Sequence, residues 1–334
     1  MKKITIAFDD FYPSFDPNNN TIVRLLRQNY DVEVVDVTDP NNRSKVQYLF
    51  FSDHGNDFLK YDCIRIFMTG ENLCPNFNLC DYAIGFEHMD FGDRFYRFPL
   101  YLWDDYRDDY DLILGDRSAL YGEEPLKRDF CGIVVSNTLF SDPHREDFFY
   151  ALSEYKRVDS GGRAFNNIGK PDGVPDKKAF LKKYKFSIAF ENSSYPGYLT
   201  EKLLQAYSYG TVPIYWGDKK ADETFNPDSF INCTGLTLDE AVAKVKEIDG
   251  DDEAYSRMIT APILVDADHK SKMEKGLETF LRNICDQPIK DAIRVPRKGK
   301  MSVYEQNYYK KAIMEKKIKK FKWLYSLPQK FWKQ

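Results

Sequence analysis

A glutamate and a lysine stand side by side where a hydrophobic run gives way to a predicted helix. The run is FSIAFEN at residues 186–192, and the pair is Glu201 and Lys202 in LTEKLLQAYSYG. Thr200 is the predicted N-cap and Gly210 the predicted helix end, so the pair falls in the first helical turn. A helix N-terminus presents unpaired N–H groups and a partial positive charge, which favour a bound phosphate. Lys202 would add a full charge, and Glu201 could accept hydrogen bonds from a sugar diol.

These residues predict a nucleotide site, and each has a simpler alternative. A Glu-Lys pair at a helix start is more often ordinary surface charge. Arg145, near the start of the helix that begins PHREDFF, could likewise form a surface ion pair that contributes little to stability. The choice between the two interpretations depends on what surrounds the pair.

Two Asp-x-Asp sequences could in principle hold a divalent metal on a pyrophosphate. They are DYD at 109–111 and DAD at 266–268, but a chain with 52 acidic residues contains such matches by chance. Neither follows a predicted strand beside the Glu-Lys pair, and the four histidines lack paired ligand spacing. We therefore predict no metal site.

The elements that must position these residues are parallel strands joined by helices. The runs KITIAF, DVEVVDV, VQYLFF, CIRIFM and YAIGF each end in polar or acidic residues, which predicts a first parallel sheet within residues 1–128. A second series from FCGIVVSN to TVPIYWGD predicts another within residues 129–300. Residues 101–128 form an acidic, aromatic-rich connection. The expected architecture is two Rossmann-like domains that face each other across a cleft.

Composition excludes several classes of protein. The net charge of −4 argues against a nucleic-acid binder, and 43% hydrophobic with 30% charged residues is typical of a globular chain. The six cysteines lack Cys-x-x-Cys spacing, which favours a reducing cytoplasm. The apolar run of MKKITIAFDD stops at residue 9, too early for an export core.

The wider stretch FENSSYPGYLTEK, followed by GTVPIYWGD, closely resembles the signature of the α1,3-fucosyltransferases, here of the bacterial Lewis type. FMTGENLCPNF, DYAIGFEHMDFGDRFYRFPLY, PHREDFF and VDSGG extend the resemblance over roughly residues 60–235. The resemblance implies a GT-B-type fold with the acceptor in the N-terminal domain and the donor in the C-terminal domain. It also implies an inverting glycosyltransferase that moves L-fucose from GDP-β-L-fucose.

By the same resemblance, the acceptor hydroxyl would be O3 of N-acetylglucosamine or glucose in a β-galactoside such as N-acetyllactosamine, giving a Lewis x-type product. The donor-binding residues would be Arg145, Asn192, Tyr198, Glu201 and Lys202. No cofactor would be required, although a divalent cation could stimulate transfer. Two alternatives stay open: another nucleotide-sugar transferase of GT-B fold, and a non-catalytic two-lobed binding protein.

Glu71 in FMTGEN is the predicted general base, and its position matches the family's proposed base. It follows the apolar run CIRIFMTG, at the strand end where parallel sheets meet their ligands. Glu87 in GFEHMD is the second candidate. Its alternative roles are an acceptor contact or a structural partner of Arg94 or Arg97.

Residues 301–334 are predicted to form a basic amphipathic tail. Within 308–334, Met314, Ile318, Phe321 and Tyr325 recur at helical spacing, lysines crowd the other face, and Trp323 and Trp332 suit a water–lipid boundary. The pattern favours peripheral attachment to an anionic membrane surface, on its inner face. The alternative is a solvated helix packed on the body of the protein.

Overall fold

The first of two sheets is built from parallel strands. The structure is a computed structural model that describes residues 1–115, 117–122, 124–138 and 141–319. The strands are β1 (Lys2–Asp9), β2 (Tyr30–Val34), β3 (Tyr48–Phe51), β4 (Ile64–Met68), β5 (Tyr82–Gly85) and β6 (Phe95–Arg97). Their spatial order is β2-β1-β3-β4-β5-β6, and every pair is parallel. β3, β4 and β5 are buried along their whole length, as expected when both faces of a sheet are covered.

The second sheet is also parallel and follows in the chain. It contains β7 (Asp129–Ile133), β8 (Val158–Ser160), β9 (Tyr184–Phe190), β10 (Val212–Trp216) and β11 (Ile231–Asn232). The spatial order is β11-β10-β9-β7-β8. β9 and β10 are fully buried, and the residues that follow β7 and β9 emerge at the carboxyl edge of the sheet. The predicted pair of parallel sheets is therefore confirmed.

The described helices surround both sheets. They are α1 (Thr21–Leu26), α2 (Arg107–Leu114), α3 (Ser118–Tyr121), α4 (His144–Tyr155), α5 (Lys177–Leu181), α6 (Glu201–Ser208), α7 (Leu238–Gly250), α8 (Asp252–Thr260), α9 (His269–Asp286), α10 (Ile289–Ala292) and α11 (Lys300–Lys319).

The first sheet has fewer helices of its own than the predicted alternation requires. Within residues 1–97, which are described without a gap, α1 is the single α-helix and the other connections are loops or 3₁₀ turns. The missing cover comes from α9, whose buried Leu277, Phe280, Leu281 and Ile284 pack in one core with Ile4 of β1. Their spacing of three and four residues gives one apolar helix face, which the first sheet buries. Residues 269–286, assigned by sequence to the second domain, thus pack on the first.

The described residues of the connection at 101–128 are more ordered than its acidic composition suggests. Tyr101, Leu102, Trp103 and Tyr110 are buried in the first core, and α2 lies within the segment. Asp109 of α2 accepts hydrogen bonds from side chains of α6, so part of this acidic segment fixes α6 in place.

The described part of the C-terminal tail packs on the first sheet through α11. Arg65 at the start of β4 is 2% exposed and donates to both carboxylate oxygens of Glu305, at 3.0 and 2.9 Å. Tyr304 of the same helix accepts a hydrogen bond from Asn76. Among the described helices none is long and apolar enough to cross a membrane. Residues 320–334 of the predicted membrane-binding tail lie outside the described residues.

Candidate functional site

The Glu-Lys pair lies at the N-terminus of α6, where β9 and its loop lead into the helix. Thr200 is the N-cap residue, as predicted, and Gly210 follows the last turn with a positive φ of 75°. The Thr200 hydroxyl does not cap the helix. It donates instead to a carboxylate that the sequence interpretation did not single out, that of Glu191.

Glu191 is fully buried at the end of β9 and organises this helix start. Its carboxylate accepts the backbone N–H of Thr200 at 2.8 Å and the ammonium group of Lys202 at 3.0 Å. Burial alone would lower the pKa of Lys202, but the carboxylates of Glu191 and Glu201 outweigh it and raise that pKa. Lys202 therefore stays charged in a fixed position. A glutamate directly after a buried strand was the available sequence signal for Glu191.

Arg145 lies near this ion pair, close enough to interact with Glu191, and its guanidinium is held by Asn192. Its guanidinium is 3% exposed and donates to the Asn192 side-chain oxygen at 2.6 Å, while its Nε has no partner within the described residues. Burial lowers the pKa of Arg145, an effect that Glu191 partly opposes. The unpartnered N–H is an unused donor in a buried position, which is unusual unless a ligand accepts it.

The position of Tyr198 is set where the loop after β9 lies close to the loop after β5. Gly197 has a φ of 88°, and a Cβ there would lie 2.2 Å from the carbonyl oxygen of Phe86 beyond β5. The Tyr198 ring packs edge-on against Phe86, with ring centroids 5.1 Å apart. Because only glycine permits this approach, the loop that carries Tyr198 is locked against the first sheet.

All five predicted donor-binding residues line one cavity of about 370 Å³, which we call the polar cavity. Glu71 lines it too, from the first sheet. Lys177 at the start of α5 is a further cation on its wall, and burial lowers the pKa of that lysine. Lys202 and Lys177 hold the pKa of Glu201 below its usual value against the effect of burial. Arg145, Lys177 and Lys202 thus surround a space large enough for a small ligand.

Glu71 projects from the loop after β4, as predicted for a residue at the carboxyl edge of the sheet. Its backbone N–H donates to the Thr69 hydroxyl at 3.0 Å, and that hydroxyl donates to Asp53 at 2.7 Å. Its side chain is exposed, so it is free to meet a ligand.

A second cavity of about 310 Å³ adjoins the polar cavity, and we call it the aromatic cavity. Four residues line both cavities: Gly70, Glu71, Leu100 and Tyr106. The aromatic cavity is bounded by rings and a few polar groups, namely Phe11, Tyr12, Phe15, Trp103, Asp53, His54 and Asp105. Glu71 therefore stands where the two cavities meet.

Glu87 lines neither cavity. It is 5% exposed, and neither carboxylate oxygen has a hydrogen-bond partner among the described residues. Burial raises the pKa of Glu87. Arg94 donates to backbone carbonyl groups and Arg97 to the carbonyl of Phe86, so these hydrogen bonds do not involve the Glu87 carboxylate.

The structure shows no metal-binding cluster near these residues. Within the described part of the chain, no group of three or more His, Cys, Asp or Glu side chains is arranged to hold a metal ion. The DYD sequence lies in α2, where Asp109 is engaged with α6.

Two family models match most of the chain. Residues 6–104 match the alpha-(1,3)-fucosyltransferase FucT N-terminal domain, and residues 125–297 match the C-terminal part of glycosyltransferase family 10 (fucosyltransferase). The chain is 34% identical over 297 residues to alpha-(1,3)-fucosyltransferase FucT of Helicobacter pylori, covering 78% of this chain and 59% of that protein. It is 30% identical over 176 residues to a putative fucosyltransferase of Acanthamoeba polyphaga mimivirus, covering 49% of this chain and 29% of that protein. The chain thus spans less than two thirds of the length of either relative.

Solved structures share the fold. An α1,3-fucosyltransferase crystallised with GDP-fucose has a TM-score of 0.69 at 29% identity, covering 86% of this chain and 92% of that one. The complex of an α1,3-fucosyltransferase with GDP has a TM-score of 0.72 at 29% identity, covering 88% and 93%. Anabaena HepE with UDP, at 10% identity and a TM-score of 0.51, covers 84% of this chain and 100% of that one and shows the fold alone. The predicted GT-B-type fold is confirmed.

Proposed function

The chain belongs to glycosyltransferase family 10, the fucosyltransferases, and we propose that it transfers L-fucose from GDP-β-L-fucose to an oligosaccharide with inversion at the anomeric carbon. The acceptor hydroxyl is O3 of N-acetylglucosamine or glucose in a β-galactoside such as N-acetyllactosamine. The product carries an α1,3-fucosidic bond of the Lewis x type.

The observation that carries this proposal is the position of Glu71 between two unlike cavities. On one side lie Arg145, Lys177 and Lys202, which suit a diphosphate. On the other side lie aromatic rings beside polar groups, which suit a sugar with apolar C–H faces and hydroxyl edges. A carboxylate at the junction can reach both the acceptor hydroxyl and the donor sugar.

The reaction is a single displacement. The acceptor oxygen forms a bond to the fucose anomeric carbon as the bond from that carbon to the β-phosphate oxygen breaks. Glu71 takes the proton of the acceptor hydroxyl, and GDP leaves with the electron pair of the broken bond. One carboxylate is sufficient, because inversion needs no covalent intermediate.

The leaving diphosphate gains negative charge, and the polar cavity supplies the groups that stabilise it. Lys202 is held in place by Glu191, Arg145 has an unused N–H donor, and the N-terminus of α6 adds its partial positive charge. Glu201, in the first turn of α6, is the acceptor for the ribose hydroxyls. Asn192 and Tyr198 orient the fucose and the phosphates. These residues act without a required cofactor. A divalent cation could stimulate transfer.

A donor and acceptor panel tests this function. The purified chain is incubated with GDP-fucose, GDP-mannose or UDP-sugars, each with lactose, N-acetyllactosamine or its β1,3 isomer. We expect transfer from GDP-fucose to N-acetyllactosamine or lactose, with the linkage read by mass spectrometry and NMR. Turnover with a UDP-sugar alone would establish the other nucleotide-sugar transferase, and GDP-fucose binding without any turnover would establish the binding protein.

We further propose that the protein acts in the cytoplasm and binds the anionic inner face of a membrane through residues 308–334. The support is the basic and aromatic composition of that segment, together with the exposed apolar side chain of Met314 in α11. Nucleic acid is not among the proposed partners.

A further inference from the structure

Two more cavities continue from the aromatic cavity along the first sheet. The nearer has a volume of about 340 Å³ and shares Ser52 and Asp53 with the aromatic cavity. The farther has a volume of about 360 Å³ and shares His54 with it. Gly55 and Asn56 line both of the new cavities. We call these two cavities together the trough; it joins the aromatic cavity at Ser52, Asp53 and His54.

One wall of the trough is α11. Tyr308 and Lys311 line the nearer cavity, Tyr309 and Ile313 line the farther one, and Ala312 and Glu315 line both. The helix is fixed about one to three turns before these residues, where Glu305 binds the buried Arg65. Because a buried guanidinium requires its partner, that ion pair fixes the helix position. The wall is therefore part of the folded body.

The chemistry of the trough suits a sugar. The nearer cavity is lined by the buried rings of Phe51, Phe58 and Phe67 and by the exposed ring of Tyr308. Asn56 does not cap the short helical turn that follows it, so its amide can bond to a ligand. Rings beside scattered amide and carboxylate groups match the apolar faces and hydroxyl edges of a saccharide.

The charges of the trough disfavour an anion. Lys60 pairs with Asp57 at 2.8 Å, and Lys311 lies 3.9 Å from Glu315. Asp53 accepts hydrogen bonds from Ser52 and Thr69 and pairs with no Lys or Arg among the described residues. The lysines are paired and Asp53 has only the His54 Nδ1 nearby, at 3.8 Å. While His54 is neutral, a phosphate or sulfate would therefore meet net negative charge from the described residues. A neutral saccharide is therefore a better match to the trough than an anionic one.

We infer that the trough is an extended acceptor subsite, in which α11 binds neutral saccharide units attached to the unit that reacts at Glu71. The inference rests on the proposed function, because the reacting unit occupies the aromatic cavity. It predicts that the protein prefers a glycan longer than a disaccharide.

The test compares acceptors that carry one reactive unit. N-acetyllactosamine is measured beside versions elongated by unreactive sugars, in one series at the reducing end and in another at the non-reducing end. For one of the two series we expect kcat/KM about tenfold higher than for the disaccharide, mainly through KM, since the added contacts bind substrate and transition state alike.

Two substitutions and a matched control locate the effect. Ala312→Trp fills the trough and Tyr308→Ala removes its aromatic wall, so both should reduce the elongated acceptor to the disaccharide value. Val303→Trp adds the same indole on the same helix, at a residue that is 55% exposed and lines neither cavity of the trough. It should leave both acceptors unchanged, and so should Ala312→Trp for the disaccharide.

The outcomes separate the inference from the function on which it rests. Equal kcat/KM for the disaccharide and both elongated series would overturn the extended subsite while leaving fucosyl transfer intact. Equal losses for short and long acceptors in Ala312→Trp would overturn it too. Absence of transfer from GDP-fucose to every acceptor would overturn the proposed function itself.

Discussion

Removing the ammonium group of Lys202 should weaken GDP binding strongly. The group lies 3.0 Å from Glu191 and 3.7 Å from Glu201 on the wall of the polar cavity, so its position is fixed before the ligand arrives. A charge-assisted hydrogen bond to a phosphate contributes about 1.5–3 kcal/mol. Lys202→Ala should therefore raise the Kd of GDP about ten- to 150-fold.

The same substitution also removes the cation from a fully buried carboxylate. Glu191 would keep the hydrogen bonds from Thr200 but lose its neutralising partner. Breaking a fully buried ion pair costs about 3–5 kcal/mol, and Lys202 is 22% exposed, so we expect a loss of about 1–3 kcal/mol in the free energy of unfolding. Weak GDP binding in Lys202→Ala could therefore come from either effect.

A double substitution separates the two effects. In Lys202→Met with Glu191→Gln, the fully buried carboxylate that Lys202 neutralised is removed as well, so the unfolding free energy should recover in part. The GDP affinity should stay low, because the cation is still missing. Lys220→Ala is the control, since this lysine is 52% exposed and pairs with Glu223 on the surface, and we expect neither quantity to change.

Titration calorimetry with GDP at one fixed low salt concentration measures the affinity, and denaturant unfolding measures the stability. Arg145→Ala is measured beside Lys202→Ala, because its guanidinium is another cation of the polar cavity and donates to Asn192. If both variants fold and bind GDP as tightly as the unsubstituted protein, the assignment of the polar cavity to the donor is wrong.

Two further predictions concern the pH dependence of stability and the tail. Burial raises the pKa of Asp10 to about 6, so the folded state holds its proton where the unfolded state does not. This contribution to stability should fall as pH rises from about 4 to about 6, and Asp10→Asn should remove it; parallel melting profiles against pH for the two proteins would contradict this. Deleting residues 320–334 leaves α11 in place and should release the protein from anionic vesicles at low salt, with turnover of a soluble disaccharide nearly intact. Should the full chain not bind such vesicles, the packed-helix alternative holds.

The sequence was most informative where one strand or helix determines its own surroundings. The apolar runs that became β3, β4, β9 and β10 are buried strands, because continuous apolar runs with polar ends suit a covered parallel sheet. Thr200 at the start of α6 was predicted for a similar local reason, since cap residues act within one turn.

The sequence was less informative about contacts between segments that are distant in the chain. The apolar face of α9 is visible in the spacing of its residues, but the spacing does not say which sheet it covers. Lys177 in PDKKAFLKKY is indistinguishable from its neighbouring surface lysines until the fold places it on the polar cavity. Glu191 looked like the polar end of a strand, and its role as the partner of Lys202 depends on the turn that brings α6 back beside β9.

The account depends most on Glu71 as the group that takes the acceptor proton, and one kinetic comparison tests it directly. Glu71→Gln and Glu87→Gln are assayed with GDP-fucose and N-acetyllactosamine, with GDP-fucose binding measured on both. Glu71→Gln should lose about a hundred- to ten-thousand-fold in kcat and still bind the donor, because only the base is removed. Glu87→Gln should keep near-normal kcat, since its carboxylate is buried and lines neither cavity. The reverse result, with Glu71→Gln active and Glu87→Gln inactive, would contradict the account and exchange the two roles.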